Sequence, residues 1–331
     1  MSLGDVSVIV PVYNNEHSIE RCLKSILTQT RAVDNIIIVN DGSTDESGTK
    51  IKPYLTLASV VYIEQPNGGA ASARNRGLQL VDTEFVTFLD ADDYWKTTFV
   101  ETCTKFLSAN DDCSIVSTAQ ELRTLGKLDR INPQIKAKHS IKISNFFEFW
   151  AEYDHVNTGS VVFRSELIGK VGGQRIDLRQ SQDLEYWAML SFHGKWAYIP
   201  EALVVNDGMA SAIKSGWKSK YAHRNQSTIT IEDWESRIVT LLNPEADLYY
   251  SRIRGKVAFG YFLRYILGGQ NELAFATLKK HSKIYPSSYL ARLFTNSLVL
   301  QSSNIFAFLC FLYRIRDRLL IIKREFSFSN L

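Results

Sequence analysis

Cysteine is scarce. The chain has four, Cys22, Cys103, Cys113 and Cys310, with no CxxC pair and no histidine at ligand-like spacing. A disulfide framework and a structural zinc site are thereby excluded, and the thiols read as reduced and mostly buried, as in a cytoplasmic protein. An excess of charge is missing too: 38 Lys and Arg against 35 Asp and Glu leave +3. No whole-molecule field argues for nucleic acid as a partner. No run of 18 apolar residues occurs, so no membrane-spanning helix is expected. The nearest approach, residues 293–313, carries no charge but is interrupted by Asn296, Gln301, Ser302, Ser303 and Asn304. No basic and apolar leader precedes the first strand pattern at Val6, so a secretory signal is not expected.

What is present begins with alternation. "VSVIVPVY" is a short β-branched run that suits a strand buried on both faces. "SIERCLKSILTQ" then sets Ile19, Cys22, Leu23, Ile26 and Leu27 at helical spacing. "NIIIVND", "SVVYIEQ" and "EFVTFLD" read as further strands, and "GAASARNRGLQLV" as a helix between the last two. Strand and helix in strict order imply right-handed crossovers and a mainly parallel sheet. Ligands bind such sheets at the carboxyl ends of the strands. The polar stretches "PVYN", "NDGST", "QPNGG" and "DADD" all fall at such ends. Further on, "TGSVVFRSELI" reads as strand then helix, and "SQDLEYWAMLSFHG" as a helix closed by Gly194. From about Trp217 the pattern is helical. A chain of 331 residues exceeds one ordinary core. We expect an α/β domain over residues 1–215 and a helical region over residues 216–331.

Four places invite chemistry, and each has a plainer reading. "NDGSTD" can be a polar turn with Ser43 or Thr44 capping a helix. Equally, Asp41 can accept hydrogen bonds from a ribose or a base. In "NGGAASARNRG", Gly68 and Gly69 open a helix whose small residues allow close packing and whose N-terminus suits an anion. Arg74 there can be a surface ion pair or a contact to base or phosphates. The segment meets neither the Rossmann nor the P-loop fingerprint. "FLDADDYW" crowds Asp90, Asp92 and Asp93 after a strand, ahead of a helix expected to start near Trp95. Acidic residues favour helix starts, but a cluster of three repels itself unless something positive sits among them. A divalent cation completed by a diphosphate would answer that. Finally, Asp183 in "QSQDLEYW" can simply cap a helix. Trp187, four residues on, shares its face, so the pair can also hold a sugar between ring and carboxylate.

In this order the segments resemble a family 2 glycosyltransferase of the GT-A fold. The resemblance is carried by "VSVIVPVYNNEHSIERCLKSILTQT", "IIIVNDGSTD", "NGGAASARNRG", "FLDADD", "TGSVVFRSELIGKVGG" and "QDLEYW", over about residues 5–210. It implies a Rossmann-like sheet flanked by helices, with a C-terminal helical appendage. It implies donor-nucleotide contacts, usually to uridine, at Pro11, Tyr13, Glu16, Asp41, Asn67, Gly68 and Arg74. The DxD motif maps to Asp90, facing the ribose, and Asp92, holding Mn²⁺ or Mg²⁺ on the diphosphate. Asp183 maps to the catalytic base and Trp187 to the acceptor side. The expected activity is inverting transfer from a UDP-sugar to a glycan, on a lipid-linked carrier as in O-antigen or capsule synthesis. Two departures stand out. Gln182 replaces the usual glutamate, which weakens repulsion beside Asp183. "VVNDGMASA" replaces a histidine-containing loop, so Asn206 and Asp207 have no assigned role.

Two readings compete with this one. A non-catalytic nucleotide-sugar scaffold would keep the donor loops and lose Asp183. A sugar nucleotidyltransferase needs a glycine-rich basic loop near its N-terminus, and "PVYNNEHS" has neither glycine nor basic residue. In the last segment, Ile305, Phe308, Leu309, Leu312, Ile315, Leu319 and Ile322 follow helical spacing with basic residues interleaved. Residues 304–324 thus read either as a helix packed on the chain or on a second subunit, or as one lying on the anionic cytoplasmic face of the inner membrane.

Overall fold

The computed structural model describes residues 4–124, 127–133, 135, 138–153, 156–178, 181–206, 230–286 and 288–328. The chain divides into two compact units, residues 1–178 with 182–210, and residues 179–181 with 211–331.

The first unit is built on one mixed sheet of ten strands in the described residues. Strand β1 (Val6–Val12) is central, entirely buried, and parallel to both β2 (Asn35–Asn40) and β4 (Phe85–Phe88). Strand β3 (Val60–Glu64) extends the parallel half. Helices α1 (Ile19–Leu27), α2 (Ser47–Ile51) and α3 (Ala70–Leu78) make the crossovers. In α1, Ile19, Cys22, Leu23 and Ile26 are buried as the spacing predicts, whereas Leu27, at the helix end, is exposed. Helix α3 lies so close to the sheet that a Cβ on Gly77 would stand 2.4 Å from the Ile9 side chain. Small residues are thus required there.

The expected parallel sheet holds for β3-β2-β1-β4, but the other half is mixed. Strand β9 (Val161–Arg164) runs antiparallel between β4 and β6 (Ile115–Thr124). Strand β10 (Trp196–Asn206) is then parallel to β6. Because β9 is reversed, its beginning lies beside the end of β4, so residues before Val161 reach the ligand edge of the sheet. The helix expected near Trp95 starts later. Tyr94–Trp95 is a strand, β5, that pairs with Val205 and Val204, and helix α4 (Phe99–Ser108) follows. That pairing spans more than a hundred residues, and a local pattern carries no trace of it. Strands β7 (Lys127–Asn132) and β8 (Ile141–Ile143) hang on β6 and β10. Helices α5 (Phe146–Glu152), α6 (Glu166–Val171) and α7 (Gln182–His193) complete the unit, and Gly194 closes α7 by donating to the Leu190 carbonyl at 3.0 Å.

The described part of the second unit is helical, with long helices at Pro244–Gly268 and Ser303–Phe328. No described helix is long and apolar enough to cross a membrane. An ion network runs from the unit's interior to its surface. The Arg254 Nε donates to both oxygens of Glu235, at 3.0 and 2.7 Å, and the Tyr250 hydroxyl donates to Glu235 at 2.9 Å. Glu232 pairs with Arg254 at 3.2 Å and Lys280 at 3.0 Å. Burial pushes the neighbouring His281 imidazole below its ordinary value, against the pull of Glu232.

Candidate active site

The carboxyl edge of the sheet gathers most of the residues singled out from sequence, but not all in the expected roles. Pro11 is a buried residue of β1. The Ile9 carbonyl accepts from Leu89 N on the β4 side, and β4 register ends at Ile9. Pro11 faces the same side two residues on, past the end of β4, so its missing N–H breaks no ladder. Tyr13, beyond the strand, is 49% exposed, an open ring at the sheet edge. Glu16 is drawn into the stitching of the first two loops. Its carboxylate accepts from Glu46 N at 3.1 Å, while its own N–H donates to Asp45 at 3.1 Å. Asn14, at φ 53°, accepts from Thr44 N at 2.8 Å and locks the same seam.

Asp41 changes role. It is 2% exposed, and its carboxylate accepts from Gly68 N and Gly69 N, each at 2.8 Å, and from the Gln65 amide at 2.7 Å. The Asn67 side chain donates to the Asp41 carbonyl at 3.0 Å. The anion expected at the start of α3 is therefore this chain's own aspartate. Three donors occupy a carboxylate with about four lone-pair sites, so Asp41 shapes the Asn67–Gly69 turn and has little free surface for a ligand.

Arg74 is the positive group at the Asp90 end of the acidic cluster. It is 3% exposed, and its Nη2 meets the Asp90 carboxylate at 2.5 Å. Its guanidinium also stands over the Phe88 ring, 5.8 Å from the centroid. Nη1 donates to the Gln174 side chain at 3.2 Å, and Nε has no hydrogen-bond partner. Asp92 is half-buried, and its carbonyl accepts from Arg21 at 3.0 Å. Asp93 is buried, and burial first, then the charges of Asp92 and Asp90, push its carboxyl well above the ordinary range. One of its oxygens accepts from Asn206 at 3.4 Å, and the other has no partner. Asn206 thus supports the cluster from the end of β10. Asp207 lies outside the described residues. Among those residues no three His, Cys, Asp or Glu side chains form a metal cage.

Asp183 sits in the first turn of α7 and is half-buried. Thr158, in the turn that leads into β9, points its hydroxyl at the Asp183 carboxylate, 3.4 Å away. That turn lies at the end of β4, so Asp183 and the acidic cluster share one edge. Trp187 corrects the sequence reading. It is 1% exposed and packs on Phe88, Phe163 and Trp196, with centroids 6.1, 6.4 and 6.3 Å away. A ring buried on all sides stacks on no sugar. It anchors α7 against the strand that leads to Asp90, and so fixes Asp183. The sequence reading missed Gln174, whose only local signal is the glycine pair before it.

The model of glycosyl transferase family 2 matches residues 7–168. The chain is 30% identical over 227 residues to the putative teichuronic acid biosynthesis glycosyltransferase TuaG of Bacillus subtilis, covering 65% of this chain and 83% of that protein. Over shorter stretches it is 36–46% identical to three other curated glycosyltransferases, and it spans only 14–38% of their lengths. Its fold is similar to that of S. aureus TarS 1-349 in complex with UDP-GlcNAc (TM-score 0.56, 16% identity, 95% of this chain and 92% of that one). It is similar also to the mannosyltransferase PcManGT from Pyrobaculum calidifontis in complex with GDP-Man and Mn²⁺ (TM-score 0.55, 16% identity, 96% and 88%).

Proposed function

The chain belongs to glycosyl transferase family 2, and on that premise we propose that it transfers a hexose or N-acetylhexosamine from a UDP-sugar to a glycan hydroxyl, with inversion. The reading is supported by Asp183, beside Thr158 in the turn that leads into β9, and by the Asp90–Asp93 cluster at the end of β4. A UDP-GlcNAc complex of a protein with the same fold supports a nucleotide-sugar donor.

Asp183 is the general base. Its carboxylate takes the proton of the acceptor hydroxyl as that oxygen attacks the anomeric carbon from the face opposite the leaving diphosphate. A positioned base of this kind contributes about 10²- to 10⁴-fold. Tyr13 offers the open ring on which the uracil stacks. Arg74 holds Asp90 in place for the ribose, and Asp41 acts indirectly by shaping the Asn67–Gly69 turn. Half-buried Asp92 would hold a divalent cation, Mn²⁺ or Mg²⁺. The fit rests on like charges crowded at a strand end, where the charges of Asp92 and Asp90 add to burial in pushing the Asp93 carboxyl up. A cation bound there supplies charge neutralisation on the diphosphate. Asp93, held towards its neutral form, is a neighbour of the site rather than a ligand.

The acceptor is proposed to be a lipid-linked glycan. The helix Ser303–Phe328 buries Phe306 and Cys310 and exposes Ile305, Phe308, Phe311, Leu312 and Ile315. Arg314, Arg316, Arg318, Lys323 and Arg324 follow in sequence. An apolar face followed by basic residues suits an anionic lipid surface.

Proton NMR of the product tests the chemistry. An α-linked UDP-sugar gives a β-linked product; an α-linked product overturns inversion and the single-base role of Asp183.

A further inference from the structure

Asn75 and Arg74, adjacent on α3, both grip the segment that leads from α6 towards α7. The Asn75 side-chain amide makes two hydrogen bonds to one peptide position. Its Nδ2 donates to the Gln174 carbonyl and its Oδ1 accepts from Gln174 N, each at 2.7 Å. The two glycines before Gln174 make the approach possible. Gly172 ends α6 at φ +76°, and a Cβ on Gly173 would stand 2.6 Å from the Asn75 oxygen. A turn needing only to be fastened would be complete with that backbone pair. Gln174 does more. Its side chain is buried, and its carboxamide oxygen accepts from Arg74 Nη1 at 3.2 Å, while its Nε2 has no partner. An amide buried with its NH₂ unmet opposes stability. It is placed there at a cost, with its oxygen on the guanidinium that holds Asp90.

We infer that Gln174 is a positioning residue for the donor: its carboxamide oxygen orients the Arg74 guanidinium so that Nη2 stays on Asp90, and the Asn75 clamp holds that oxygen in register. The inference rests on the reading of Asp90 as a donor contact. Arg74 has few other restraints, because Nε is without a partner and Phe88 is an aromatic face rather than an acceptor. Without the Gln174 oxygen the buried guanidinium loses the contact that fixes its orientation beside Asp90, and the ribose side of the pocket loses part of its preorganised geometry.

The test is titration of UDP with Mn²⁺ into wild type, Gln174→Met and Gln174→Glu. Methionine conserves volume and the backbone clamp and removes the carboxamide, both the acceptor on Arg74 and the unmet NH₂. One hydrogen bond to a charged group sets the scale, so Gln174→Met weakens UDP binding on the order of tenfold or more. Gln174→Glu, which keeps an acceptor, restores affinity to within about threefold by the same scale. In turnover the Met variant raises the donor KM and leaves kcat near wild type, a split that a purely structural residue would not give. Should the Met variant prove too unstable to titrate, Gln174→Asn carries the same expectation, since its shortened amide no longer reaches Arg74. Wild-type binding with unchanged affinity in the Met variant overturns this inference alone. Failure of the wild type to bind UDP overturns the donor-site reading, and the inference falls with it.

Discussion

Two clusters of charge sit in this chain, and they are built on opposite plans. In the helical unit, Glu232 and Glu235 are met from several sides by Arg254, Lys280 and the Tyr250 hydroxyl, so that each of these two carboxylates has a donor aimed at it. At the sheet edge three aspartates fall within four residues. Arg74 is tied to one of them, while an Asp93 oxygen, Arg74 Nε and Gln174 Nε2 stay buried without partners. A network that only holds helices together can saturate itself. An edge that keeps like charges together and leaves polar atoms unmet is less stable than the fold could make it, as functional sites often are.

Breaking each cluster separates the two plans. Asp183→Asn should lower turnover by about 10²- to 10⁴-fold, the span of general-base catalysis, and leave UDP affinity near wild type. Steady-state rates alongside a UDP titration decide it, and near-normal turnover removes Asp183 as the base. Glu235→Gln removes the charge that Arg254 grips. Hydrogen bonds to charged groups set a loss of roughly 2–3 kcal/mol, read as a lower denaturant midpoint, with UDP affinity unchanged. A full-strength midpoint would mean that the network is ornamental. The smallest expected effect concerns the last helix. Phe308→Glu, at a side chain 59% exposed, should leave the fold and UDP binding alone and weaken sedimentation with anionic liposomes. Equal sedimentation of both proteins would contradict the membrane reading.

Much of the fold was legible because it is local. The buried face of α1, the small residues of α3 and the buried run of β1 are patterns of short range. The edge that would carry the site followed from the alternation of strands and helices. What stayed hidden depends on partners far away in sequence. Trp187 and Asp183 share a helical face in the sequence, but the aromatic cluster of Phe88, Phe163 and Trp196 decides which of them is buried. Asp41 looks like a ligand-binding carboxylate until the N–H groups of Gly68 and Gly69, 27 and 28 residues on, are seen to occupy it. Gln174 has no motif of its own, because its meaning is its contact with Arg74, 100 residues earlier.

The central claim is that the Asp90–Asp93 edge receives a nucleoside diphosphate together with a divalent cation. Calorimetric titration of UDP into wild type and Asp92→Ala, first with Mn²⁺ and then with EDTA, tests it most directly. The account predicts tight binding by the wild type only with metal, and loss of that metal-dependent gain in Asp92→Ala. Equal binding with and without metal, or no binding by the wild type in either condition, would contradict it.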